Sequence, residues 1–87
     1  MTYYALTHPA ISGGAMDAED LQRKFGERCR ALRRRRKLSQ LDMVRHFDVS
    51  LSHYQKIERG DLDVRLSTAQ KLAKCFGVTL SELMRGV

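Results

Sequence analysis

The chain has 87 residues, enough for one domain with a single core, and its 16 Lys and Arg against 10 Asp and Glu give a net charge of +6. No apolar run approaches the ~18 residues that a bilayer span needs, and the N-terminus lacks the basic start and apolar core of a secretory signal, so a cytoplasmic protein is predicted. Cys29 and Cys75 have no CxxC or His-rich surroundings, which argues against a metal site or a disulfide framework and favours buried, reduced thiols.

Residues 1–16, MTYYALTHPAISGGAM, carry the only proline, Pro9, and the Gly13-Gly14 pair, and they read as a flexible N-terminal arm or an expression remnant. Met16 could be the natural start, because Asp17, Glu19 and Asp20 suit a helix's first turn; alternatively Tyr3, Tyr4 and Leu6 could dock on a partner subunit. Residues 17–87 form the predicted domain. Leu21, Phe25, Cys29 and Leu32 recur as one apolar stripe, which predicts a first helix running to about Arg36. Ser39 opens a second helix, about 39–47, with Asp42 as the partner in a capping box and with Met43, Val44 and Phe47 turned inward. Asp48 marks a tight corner. Ser50 caps a third helix, about 50–59, with Tyr54 and Ile57 inward and Gly60 at its end, where a left-handed residue is often needed. Ser67 and Gln70 form a second capping box, opening a helix whose stripe is Ala69, Leu72, Ala73 and Phe76 and whose stop is Gly77. Thr79 and Glu82 open a short fifth helix carrying Leu80, Leu83 and Met84. No segment alternates long enough to predict a strand, so the expected fold is all-α, five packed helices.

Between Arg23 and Lys37 stand nine of the 16 cations, opposed only by Glu27. Such a patch would release counterions from a phosphate backbone, although charge runs are also ordinary solvated helix faces. Next to it, Ser39 to Gly60 has the form of two short helices joined by a corner, and the pairing points to double-stranded DNA.

At Leu38-Ser39-Gln40, Val49-Ser50, Ile57-Glu58-Arg59-Gly60, Leu72-Ala73-Lys74 and Phe76-Gly77-Val78 the chain resembles the phage-repressor family of helix-turn-helix domains, also called the Cro or XRE type. The resemblance covers about residues 21–85. It implies a compact lambda-repressor-like domain that binds operator DNA as a homodimer, with the third helix in the major groove. A recognition helix presents its first turns to base edges, so Leu51, Ser52, Gln55 and Lys56 are the expected base contacts, with His53 nearby. Gln40 matches the family's phosphate-clamping glutamine; Ser39, Arg34, Arg36 and Lys37 are the other expected phosphate contacts, Ser39 being first a cap. The resemblance also implies a buried structural ion pair between Arg33 and Glu58. Asp48 stands where the family usually has glycine, and Val44 where it has alanine. Asp61 and Asp63 occupy a loop where the family often carries cations, which leaves room for a protein partner there.

The sequence therefore predicts a sequence-specific transcriptional regulator, a homodimer on a palindromic operator, pairing through Leu80, Leu83 and Met84. The alternative is an antitoxin or protein-interaction adaptor on the same fold. Scattered His8, His46 and His53 and the lack of a nucleophile, metal set or phosphate loop argue against an enzyme, a cofactor or a small-molecule effector site.

Overall fold

The computed structural model describes residues 16–87, so the expectations for residues 1–15 lie outside the described residues. Five helices follow in order: α1 (Ala18–Arg35), α2 (Gln40–Phe47), α3 (Leu51–Arg59), α4 (Leu66–Phe76) and α5 (Leu80–Leu83). Among the described residues there is no strand, and no helix is long and apolar enough to cross a membrane.

Local chemistry sets most of the boundaries. Asp17 caps α1, accepting from the Asp20 N–H at 2.8 Å. At α2 the Ser39 Oγ accepts from the Asp42 N–H at 3.0 Å while the Asp42 carboxylate accepts from the Ser39 N–H at 2.7 Å, a reciprocal box that satisfies two otherwise orphaned donors. These bonds hold the Asp42 carboxyl below its ordinary value. Thr79 and Glu82 repeat the arrangement at α5. Ser50 caps α3 through the His53 N–H. Asp48 takes the left-handed conformation, φ 58° and ψ 46°, as the corner between α2 and α3 requires. Lys37, with φ 57°, does the same between α1 and α2.

Two glycines set the approach of α1 to α3. A Cβ on Gly26 would lie 2.5 Å from the carbonyl oxygens of both Ile57 and Glu58, so α1 and the end of α3 meet backbone to backbone. Gly60 has φ +76°, and a Cβ there would stand 2.6 Å from the Arg23 Cα, so conformation and space both require glycine.

The core is continuous: Phe25, Cys29 and Leu32 from α1 meet Met43 and Phe47 from α2, Tyr54 and Ile57 from α3, the α4 stripe, and Leu83. Burial pushes the Cys29 thiol up to about 12, which makes it an inert packing residue.

Four expectations need correction. Leu21, placed on the core stripe, is 44% exposed, because it lies only three residues into the helix, at the open edge of the core. Helix α4 starts at Leu66 with Arg65 as its uncapped first flank, not at Ser67: Leu62 and Val64 pack on the core and carry an extended backbone up to Arg65. Cys75 is only half-buried, its Sγ 3.7 Å from the His46 carbonyl oxygen. Leu83 is fully buried in the chain's own core and has no surface to offer a dimer; Leu80 is half-buried and Met84 exposed.

Candidate nucleic-acid interface

Helix α3 buries Tyr54, Ile57 and Glu58 and leaves Ser52, His53 and Lys56 exposed, with Leu51 and Gln55 half-buried. That alternation follows from the helical period: the apolar side of nine residues faces α1 and α2, and the remaining polar side faces solvent. Beside its first turn lies an open groove lined by Arg30, Arg33, Arg34, Ser39, Gln40, Leu41 and Leu51. The groove thus gathers Arg34, Ser39, Gln40 and Leu51 of the predicted site. Because the capping box uses the Ser39 and Asp42 N–H groups, the N–H groups of Gln40 and Leu41 in the first turn of α2 remain free to donate outward. The Ser39 hydroxyl proton is also unspent, since its oxygen acts only as acceptor in the cap.

One buried ion pair holds this face to α1. Arg33 Nε donates to Glu58 Oε2 at 2.6 Å and Nη2 to Oε1 at 3.2 Å, while Nη1 donates to the Leu38 carbonyl at 2.9 Å. Its side chain is 11% exposed, and that of Glu58 is 1%. Arg30 Nε approaches Glu58 Oε1 at 3.5 Å. Gln40 Nε2 donates to the same oxygen at 3.1 Å, and Gln55 Nε2 donates to Gln40 Oε1 at 3.2 Å. Burial alone would push the Glu58 carboxyl up, but the hydrogen bonds from Arg33 and Gln40 and the positive charge of Arg33 more than offset it and hold it below its usual range. The Tyr54 hydroxyl is buried without a partner of good hydrogen-bond geometry, although Glu58 and Arg33 are near enough to influence its ionisation.

The cations do not form one surface. Arg28 donates to the carbonyl oxygens of Leu83 at 3.2 Å and Glu82 at 2.7 Å, so it fastens α5 to α1. The Arg36 guanidinium packs against Gly77 and lines a different groove with Leu38, His46, Lys74 and Cys75. Its position at the C-terminal end of α4 suits a cation. Arg36 is therefore set apart from the groove that holds Arg34 and Gln40. Arg35 and Lys37 are exposed without an ion-pair partner among the described residues.

The acidic loop has two fates. Asp61 Oδ2 pairs with Arg59 Nε at 2.8 Å, and it lies with Glu19, Gln22 and Arg23 beside the first half of α1. Asp63 borders an apolar groove of Leu21, Phe25, Val64, Leu66, Ala69 and Met84, in which Leu66 is 78% exposed. Sequence reasoning missed Arg28, Arg30 and Gly26 as positioning residues. Only the fold reveals them, because each acts on a residue 28 or more positions away along the chain.

Comparison with known proteins gives concordant results. A family model described as helix-turn-helix matches residues 30–83. The HTH-type transcriptional regulator DdrOP3 of Deinococcus deserti is 36% identical over 64 residues, which are 74% of this chain and 50% of that protein, so the chain spans about half the length of this relative. The control protein C.MunI of a Mycoplasma species is 32% identical over 69 residues, 78% of this chain and 93% of that protein. The crystal structure of the restriction-modification controller protein C.AhdI from Aeromonas hydrophila superposes with a TM-score of 0.73 at 32% identity, covering 78% of this chain and 99% of that one.

Proposed function

The chain belongs to the helix-turn-helix family, and from that premise we propose that it is a transcriptional regulator that binds double-stranded DNA in a sequence-specific manner, as a homodimer on a palindromic operator. The observation that carries this reading is the juxtaposition of the polar side of α3 with the groove of Arg34, Gln40 and the free α2 N–H groups. A duplex laid across it brings base edges to Leu51, Ser52, Gln55 and Lys56 and a phosphate to the groove. Lys56 donates to guanine O6 or N7, Ser52 bonds several bases, and Leu51 packs on a thymine methyl. Ser39, Gln40 and Arg34 position the backbone, and Lys37 adds attraction; Arg36 takes a phosphate only from the far side of its own groove.

The relatives of this chain described above, two control proteins and a transcriptional regulator, agree in kind with this assignment. Pairing uses Leu80 and Met84, and a second copy of the chain covers the apolar groove in which Met84 meets the exposed Leu21 and Leu66. Protection of a selected operator from hydroxyl radicals tests this: two equivalent half-sites centred about 10–10.5 base pairs apart, or a multiple, with two chains bound, are expected. One chain on one half-site would overturn the dimer. The exposed Leu66 and Asp63 also support a second reading, an antitoxin or adaptor that holds another protein at that groove, and a stable monomer that binds no DNA selectively would favour it.

A further inference from the structure

We propose that Gln55 is a specificity-determining residue whose hydrogen-bond polarity is fixed from inside the protein, so that it reads the major groove as an acceptor and selects adenine or cytosine over guanine or thymine. This rests on the reading of α3 as the DNA-facing helix.

A glutamine on a recognition helix is ordinarily ambiguous. Its amide turns about the last torsion and offers an oxygen, an NH₂ or both to a base, so the residue type alone does not fix what it reads. Here the choice is removed in three steps. Glu58, paired with Arg33, has only acceptor oxygens, so the Gln40 group that approaches Glu58 Oε1 at 3.1 Å must be its NH₂. With the nitrogen so committed, the Gln40 oxygen is the atom left to face α3. It accepts at 3.2 Å, and only the Gln55 NH₂ is able to donate to it. The Gln55 nitrogen is thereby drawn toward α2, and its Oε1 is turned to the other side. That oxygen has no hydrogen-bond partner within the described chain and is not among the buried unpaired atoms, so it is open to solvent or ligand.

A fixed acceptor on this helix complements bases that display an exocyclic amino group in the major groove, which are adenine through N6 and cytosine through N4. Guanine O6 and thymine O4 present acceptors and would face it lone pair to lone pair. Reversing the Gln55 amide would set its oxygen against the Gln40 oxygen, and reversing both would set an oxygen against Glu58. The buried charge thus propagates a polarity through two neutral amides to a base-reading position.

The test is selection from a DNA library followed by sequencing of the bound half-sites, with wild type, Gln40→Leu, Gln55→Ala, Gln55→Glu and Gln55→Lys. Wild type should favour A or C over G or T at one half-site position by roughly three- to tenfold, the discrimination of a single hydrogen bond. Gln55→Ala should abolish that preference, and Gln55→Glu, an obligate acceptor, should keep it. Gln55→Lys, an obligate donor, should shift it to G or T. Gln40→Leu frees the amide and should level the preference at this position alone, whereas loss of a phosphate contact would weaken all sequences equally. If Gln40→Leu does not fold, the Glu and Lys variants decide the matter. An enriched half-site in which no position responds to Gln55, or one that favours G or T in wild type, overturns the assignment while leaving the DNA-binding reading intact. No enriched half-site at all overturns both.

Discussion

Replacement of Glu58 by alanine removes the carboxylate on which three neighbours converge. Arg33 would keep only its bond to the Leu38 carbonyl, its guanidinium still almost wholly enclosed, and Gln40 Nε2 would lose its acceptor. Breaking a buried pair from one side costs roughly 3–5 kcal/mol, since the remaining charge stays desolvated and unpaired. For 87 residues at roughly 0.05–0.15 kcal/mol each, the whole stability is about 4–13 kcal/mol, so the variant loses from about a quarter to all of it. In a thermal melt followed by circular dichroism at neutral pH, the midpoint should fall by about 12–40 °C. Arg33→Met combined with Glu58→Met should lose less than the sum of the two single changes, because no charge is then left buried. The pH dependence follows with a definite sign. The folded carboxyl lies below its unfolded value, near 4.3, so its contribution is complete above about pH 5 and is lost as the pH falls through the folded value. Glu58→Gln should flatten that acid limb. An unchanged midpoint for Glu58→Ala, or additive single and double changes, would refute the role given to the pair.

Gly26→Ala should destabilise by at least about 1 kcal/mol, even after the gain in helix propensity, because its Cβ meets two carbonyl oxygens at 2.5 Å; a melting midpoint at or above that of wild type would contradict the close approach of α1 and α3. Asp48→Gly should raise stability by ~0.5–1 kcal/mol by relieving a side chain held at φ 58°, readable as a higher urea midpoint with an unchanged slope. With a water-soluble thiol reagent at pH 8, native protein should label at half-exposed Cys75 alone, and at Cys29 only on unfolding; equal native labelling would contradict the packing of α1.

The helices were legible wherever a short-range signal coincided with a boundary. The Ser39–Asp42 and Thr79–Glu82 boxes, the left-handed Asp48, and Gly60 and Gly77 all sit where the sequence placed them, since caps and left-handed corners are decided within four residues. Where a distant contact governed the outcome, local pattern misled. Ser67 has the look of a cap, yet Val64 and Leu62 on the core start α4 earlier. Leu21 continues the apolar stripe of α1 in register but lies at the open edge of the core, while Leu83, expected at a dimer interface, is drawn fully inward with Arg28 holding its carbonyl. The cation cluster shows the same limit: seven charges within ten residues spread around a helix, so Arg28, Arg33 and Arg36 serve three different contacts and only part of the run faces the groove at Gln40. The polarity of the Gln40 and Gln55 amides was invisible in sequence, because it depends on a carboxylate that arrives from the end of α3.

The central claim, that α3 reads base sequence beside a phosphate-holding groove, is tested most directly by titrating salt against binding to a selected operator and to random DNA, with wild type, Lys56→Ala and Arg34→Ala. The account predicts a wild-type preference for the operator of roughly 10³ or more that persists as salt rises. Lys56→Ala should relax the preferred sequence, at a cost of about 1–3 kcal/mol on the operator, and Arg34→Ala should weaken both DNAs alike with a shallower salt slope. Weak binding that is equal on the two DNAs, disappears at modest salt and does not respond selectively to Lys56→Ala would contradict it.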